Sequence, residues 1–491
     1  MMVVTRVALL VLAMIIANIA AENVPIEEPD CDASKSVNIR YSSTSKRLYL
    51  EAAESGERGG CMTLSEIFEA RAGKAPLYAV DPATDSRVEE ITGTWLLTES
   101  LYVEDGITLN VHGGADGDAD ELRLLSDEDG YINLRAHGGS LSFHDTKVFS
   151  WDEGAGTYDE QYSDGRSYIS VISEIITDPD EDCVGRAKNT MGEARMDIIS
   201  SEIGYLGFED SESYGLSWKV RGFCTDKSNE EIFDDVNVYG NIYDSDIHHN
   251  YFGLYTYGHQ QGDWRRNKMH DNIQYGFDPH DDSDLINIHD NFVYDNGNHG
   301  IIASKRCNDV SIQNNEVYDG GNAGLFLHRS SDDAVVKGNY VHDNGDAGLA
   351  MLESFQADVS DNVFENNKYG IRLSVGCADN VFYNNVVSGS SKYNFFTYEG
   401  SDDPDVVSSG RSQNNVFEAN EVIGGEETIK LKESDGTEFR DNAFTDATTI
   451  RFDDAKNVLM VGNTGLDDVE LKVANGACFD EDSDEGFEPV C

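Results

Sequence analysis

Between residues 250 and 390, short apolar runs recur, each opened by a glycine: GLYTY from Gly253, GFDPH from Gly276, GIIAS from Gly300, GLFLH from Gly324, GLAML from Gly348 and GIRLS from Gly370. Positions one and three past the glycine are nearly all apolar: Leu254/Thr256, Phe277/Pro279, Ile301/Ala303, Leu325/Leu327, Leu349/Met351 and Ile371/Leu373. This alternation is the period of a strand with one face buried. Positions two and four therefore face outward. They form one column of Tyr255, Asp278, Ile302, Phe326, Ala350 and Arg372, and a second of Tyr257, His280, Ser304, His328, Leu352 and Ser374. Asparagine keeps step at Asn250, Asn272, Asn291, Asn315, Asn339, Asn362 and Asn385, at intervals of 22, 19, 24, 24, 23 and 23 residues. It resumes at Asn420, Asn442 and Asn463.

Strands this short cannot each bury a face alone, but stacked coils can, with every turn covering the next. Asparagine suits the turns of such a stack, where its amide bonds the neighbouring coil. A leucine-rich repeat has a similar period but needs a leucine frame, and this frame is written in Asn, Asp, Gly, Val and Ile. The pattern predicts an all-β chain folded as a right-handed parallel β-helix over residues 93–474, less regular before Asn250. In residues 22–92, TLSEIFEA from Thr63 reads as a short helix with a capping box, Thr63 with Glu66, that plugs the N-terminal end. Residues 475–491 read as an acidic, solvated tail tied down by Cys478 or Cys491. The whole is one elongated domain.

Residues 1–21 carry Arg6, an apolar run from Val7 to Ile16 and small residues at Ala20 and Ala21, the layout of a cleaved secretory signal. No later segment is long and apolar enough to span a bilayer. Eight cysteines in a secreted chain imply disulfides, with pairing left open. None has C-x-x-C spacing, so zinc and dithiol chemistry are not indicated.

Charge changes the picture. With 92 acidic against 36 basic residues, the net charge is −56, which argues against nucleic acid as a partner. Against that background, His280, His299, Lys305, His328, Arg329 and Arg372 fall on or beside the outward columns, as do the aromatics Tyr255, Tyr257, Tyr275 and Phe326. A groove with cations and aromatic platforms suits an extended acidic sugar chain.

YGFDPHDDS (residues 275–283) resembles the Tyr-Gly-x-Asp-Pro-His signature of the mannuronan C5-epimerases of alginate biosynthesis, of brown-algal type and similar to the periplasmic bacterial enzymes. HGIIASKRCND, AGLFLHRSS and YGIRLSV resemble the coils that follow it, and the likeness extends from about residue 200 to 377. The resemblance implies epimerisation of β-D-mannuronate to α-L-guluronate within polymannuronate, with Asp278, His280 and Tyr275 in the catalytic signature. It also implies a basic residue, Lys305 or the adjacent Arg306, that neutralises the substrate carboxylate. The chemistry needs a base and an acid on opposite faces of C5, and His280 and Tyr275 form that pair. Arg306, His299, His328, Arg329, Arg372, Tyr255, Tyr257 and Phe326 are expected to contact substrate. No cofactor is called for. Calcium has only GGADGDADE (residues 113–121) to suggest it, and that stretch does not repeat. The expected protein is a monomer secreted to the extracellular matrix or cell wall. A polyuronate lyase would use the same groove and base, and a non-catalytic binding solenoid would need only the groove. A glycosidase would want paired carboxylates, and Asp281 and Asp282 fall past the strand.

Overall fold

A computed structural model describes residues 31–491 apart from 33, 55, 116, 176–191, 211–212, 223–231, 234–235, 403–404 and 406–409. The expected signal peptide and two of the cysteines, Cys183 and Cys224, lie outside the described residues. The chain is the expected parallel β-helix. Coils stack so that inward side chains align from rung to rung, as in the run Phe277, Ile301, Leu325, Leu349, Ile371, Phe395, Ile429 and Ile450. All eight are at most 1% exposed. The outward columns pair in the register that glycine spacing predicts: Ile302 with Phe326, Ala350 and Arg372, and Ser304 with His328, Leu352 and Ser374. The glycines mark a rung-to-rung contact too close for a side chain. A Cβ on Gly276 would lie 2.5 Å from the carbonyl oxygen of Gly300.

Among the described residues asparagine stacks at more than one corner, not in the single ladder its spacing suggests: two long ladders account for that spacing, and Asn380 bonds Asn415 at a further corner. In the first, the backbone N–H and side-chain amide of Asn267, Asn291, Asn315, Asn339, Asn362, Asn385, Asn420 and Asn442 both donate to Oδ1 of the next asparagine, ending at Asn463, at 2.9–3.1 Å. Asn250 and Asn272 belong to the second, at another corner, where the backbone N–H of each bonds Oδ1 of the next through Asn296. That ladder continues from Asn344 to Asn367. The short interval of 19 residues is the jump between corners.

Parallel stacking begins before residue 93. Arg47–Ala52 already pairs with Ser100–Val103, and Val37–Ser42 closes its outer edge as an antiparallel strand. The helix Leu64–Ala70 carries the predicted capping box, and its Leu64, Ile67 and Phe68 plug the core, Phe68 against Trp95. Its start is stapled by the Cys31–Cys61 disulfide. The C-terminal segment is not simply solvated. Phe479 is fully buried against Phe452, Phe487 lies over it, and the Cys478–Cys491 disulfide closes the flap. Cys307 and Cys377 are buried, reduced core residues.

The groove-bearing sheet is interrupted once. A seven-stranded sheet ends at Phe252–Tyr257 and a second begins at Ile301–Ser304. The rung between them, residues 276–280, joins the second sheet only through isolated bridges, Phe277 to Ile301 and His280 to Ser304. Pro279 sits there and has no N–H to give to a ladder.

Asn339 lies in mid-ladder, accepting two hydrogen bonds from Asn315 and donating to Asn362 and Ile312. Replacing it by alanine strands buried partners on both sides. Asn339→Ala is expected to cost about 3 kcal/mol of unfolding free energy in a denaturant titration, against little for an exposed turn position.

Candidate active site

The broken rung brings Tyr275, Asp278 and His280 together. Asp278 lies in the outward column, yet it is only 1% exposed and, among the described residues, neither carboxylate oxygen has a hydrogen-bond partner. Tyr255 occupies the rung before it and Ile302 the rung after. Burial pushes the Asp278 carboxyl up to about 7, against the pull of His280 and Lys305. Near neutral pH this side chain is divided between acid and carboxylate, so it can donate a hydrogen bond.

His280 is best understood beside three other histidines. His270, His289 and His342 are each followed by an aspartate in the left-handed conformation, whose carboxylate bonds the histidine Nδ1 at 2.7 Å. In all three, Nε2 meets a second carboxylate: Asp246, Asp263 and Glu316 respectively. His280 shares the first feature, with Asp281 at 2.5 Å from Nδ1. It lacks the second. Among the described residues its Nε2 has no partner, and the ring lies 5.2 Å from that of Tyr255. Holding the proton on Nδ1 leaves the Nε2 lone pair toward the groove.

Lys305 and Arg306 both take left-handed backbone angles at the end of the next rung, and their surroundings separate them. Arg306 is engaged by Asp282 at 2.8 Å and Asp281 at 3.2 Å. Among the described residues, no carboxylate lies within ion-pair distance of the Lys305 ammonium. Arg306 therefore steadies the carboxylate that orients His280. Burial raises the Asp281 carboxyl, but the bond from His280 and the charges of Lys305 and Arg306 hold it below its ordinary value.

The remaining expected contacts divide in the same way. Tyr275 stacks on His299 at 5.5 Å, His299 meets Phe326 at 4.9 Å, and Phe326 meets His328 at 5.2 Å, an aromatic wall along the groove. The two histidines are not cations. Burial, with neighbouring positive charge, pushes both down to about 4. His299 accepts a bond from the Ala323 N–H, and His328 is bonded to Ser304. Arg329 is tied to buried Glu353 and to Asp405, and Arg372 to Asp346 at 2.7 Å. Tyr257 packs on Phe233. Of the expected row of six basic groups, His299 and His328 are neutral and Arg329 and Arg372 are ion-paired, while among the described residues no carboxylate pairs with Lys305.

Other cations went unregistered because the glycine column starts only at Gly253. Lys219 projects from Gly215–Gly222 in register with Tyr257, beyond a register shift between Gly215 and Ser217. It is 9% exposed, and its ammonium lies 5.2 Å from the Tyr255 ring. The alternation SWKV was the available signal. Burial raises the hydroxyls of Tyr255 and Tyr275, aided by Asp278, so both stay protonated at neutral pH. Among the described residues, no group of three or more His, Cys, Asp or Glu side chains is arranged to hold a metal ion. No described helix is long and apolar enough to cross a membrane.

A family model described as "Right handed beta helix region" matches residues 232–387, and one described as "Periplasmic copper-binding protein (NosD)" matches residues 354–464. Over 238 residues the chain is 27% identical to a mannuronan C5-epimerase of Pseudomonas aeruginosa, covering 48% of this chain and 36% of that protein. Over 206 residues it is 26% identical to the mannuronan C5-epimerase AlgG of Azotobacter vinelandii, covering 42% and 34%. The chain thus spans about a third of the length of these relatives. The crystal structure of the periplasmic alginate epimerase AlgG shares the fold, with a TM-score of 0.66 at 17% identity over 87% of this chain and 96% of that one.

A carboxyl whose pKa is raised on folding contributes stability below its unfolded pKa and loses it as pH rises through the folded value. Asp278→Asn is therefore expected to be more stable than wild type at pH 8. The difference should shrink as pH falls from about 7 toward 4, as read by thermal unfolding across pH.

Proposed function

We propose that this chain, related in sequence and fold to the mannuronan C5-epimerases, inverts C5 of β-D-mannuronate within polymannuronate to give α-L-guluronate. One observation carries the proposal. At the broken rung, among the described residues, an imidazole fixed through Nδ1 presents an unpartnered Nε2 beside a buried carboxyl, with an ammonium free of carboxylates one rung away.

The C5 proton is weakly acidic because its removal places negative charge beside an existing carboxylate. Lys305, and Asp278 as a neutral hydrogen-bond donor, meet that carboxylate and stabilise the charge that spreads onto it. The Nε2 lone pair of His280 takes the proton, and the C–H electrons delocalise into the carboxylate as an enediolate. Asp281, held by Arg306, stabilises the imidazolium. Tyr275 stands on the other side of Asp278 along the chain, and its hydroxyl, kept protonated by burial, delivers a proton to the opposite face of C5. Solvent then returns a proton to the tyrosinate and removes one from His280. The aromatic wall of His299, Phe326 and His328 positions the neighbouring sugars, with Tyr255 against His280. The chemistry uses no cofactor. The two described disulfides suit an oxidising compartment, and we place the protein outside the cytoplasm as a secreted monomer acting on matrix or wall polysaccharide.

Purified protein incubated with polymannuronate is expected to produce guluronate signals in the NMR spectrum of the intact polymer. His280→Asn should lower the rate about a thousandfold, and Lys305→Met by about a hundredfold. Unsaturated chain ends in place of guluronate would make the protein a lyase. Binding without either product would leave a non-catalytic solenoid.

A further inference from the structure

The groove face continues past the site toward the N-terminus, and its charge there is arranged unlike that of the rest of the molecule. The outward column that contains Asp278 runs back through Tyr255, Ser217, Ser170 and Arg135 to Tyr102 and Tyr49. Arg221 lies here, two residues past Lys219, and three further cations occupy the stretch: Arg47, Arg135 and Lys219. Among the described residues none of these three lies within ion-pair distance of a carboxylate, although acidic residues outnumber basic ones 92 to 36.

Aromatic rings and hydroxyls hold these cations in place. Arg47 lies over the Tyr102 ring at 4.8 Å, and Arg135 lies 5.8 Å from Tyr102 and 5.7 Å from Tyr168. Arg135 also donates to the Tyr168 hydroxyl at 2.9 Å and to Ser170 at 3.0 Å. Lys219 is nine-tenths buried with its ammonium unpartnered, and burial together with Arg135 pushes it down to about 8. Positive groups that crowd one another, with no counter-ion, destabilise the folded chain unless an anion completes them. The equivalent column on the other side differs. There Arg372, Arg451 and Lys472 are paired with Asp346, Glu427 and Glu470, and Lys430 with the Tyr393 hydroxyl.

We infer that Arg47, Arg135 and Lys219 are carboxylate subsites for uronate residues on the N-terminal side of the reacting sugar, so that the polymer lies along the groove in that direction. The inference rests on the proposed polyuronate substrate. Four rungs separate Arg135 from Asp278, about 19 Å at strand spacing, and an extended pyranose chain advances by a similar distance per residue. A carboxylate roughly four sugars from the reacting one reaches Arg135. Lys219 serves sugars nearer the reacting residue, and the Tyr102 and Tyr168 rings offer apolar surface to the sugars between.

Calorimetric titration of His280→Asn protein, which leaves its ligand unaltered, with mannuronate oligomers of increasing length tests this directly. Affinity is expected to rise about tenfold or more as the oligomer lengthens from three residues to about six, and to fall with added salt. The double variant His280→Asn/Arg135→Gln should lose that gain, and so should His280→Asn/Lys219→Gln, whereas His280→Asn/Arg135→Lys should keep most of it. Matched thermal unfolding would show that the variants fold. If the Arg135→Gln and Lys219→Gln forms bind long oligomers as tightly as their parent, the subsites are overturned and the proposed activity stands. If the parent binds no oligomer of any length and wild-type protein converts no polymannuronate, the polyuronate reading falls and the subsites fall with it.

Discussion

The amide ladders of asparagine are the constraint on which everything else in this molecule depends. A β-helix of short strands has little to stop one coil slipping on the next, because a slip of one residue turns every side chain to the other face. In the longer ladder each donating asparagine is held through two donors to the next rung, in a buried corner where an unmade bond is costly. Register is thereby locked over about ten rungs, and the outward columns become fixed rows. Side chains far apart in sequence, such as Tyr255, Asp278 and Phe326, stand in one line because the corners cannot shift, and parallel strand pairing carries that line back to Arg135.

Within so regular a frame, the site is where the regularity fails. Pro279 has no N–H to give to the ladder, though its carbonyl accepts from the Ser304 N–H, and the rung it occupies meets the next one through isolated bridges. Among the described residues, that rung carries a buried carboxyl with no partner and an imidazole whose second nitrogen is free. At His270, His289, Arg329 and Arg372, by contrast, carboxylates lie beside the basic group. Among the described residues Asp278 and Lys305 have no compensating partner, which costs stability that the stacked core supplies. The same contrast extends upstream, where, among the described residues, Arg47, Arg135 and Lys219 stand without counter-ions in a chain of net charge −56.

The fold was legible because glycine, asparagine and alternating apolar positions all reported one period. The rung pairings of Ile302 with Phe326 and of Ser304 with His328 followed from that period alone, and the helix cap at Thr63 from its spacing to Glu66. The corner to which each asparagine belongs was not legible by eye, although the 19-residue step between Asn272 and Asn291 was the sign of it. Charge states were less accessible. His299 and His328 lie where cations were expected, but burial keeps them neutral, a property of packing rather than of position. Arg306 and Lys305 are neighbours of the same type, and only their surroundings assign one to Asp282 and leave the other free. Lys219 escaped notice because a register shift separates its strand from the glycine column.

The central claim is that His280 removes the C5 proton in a step that governs turnover on polymannuronate. The most direct measurement compares kcat/KM for polymannuronate bearing deuterium at C5 with that for the ordinary polymer, in light water. The account predicts a clear primary isotope effect, with guluronate products that have lost their deuterium. Equal rates accompanied by guluronate that keeps its C5 deuterium would contradict it, because inversion would then proceed without breaking the bond that His280 is placed to break.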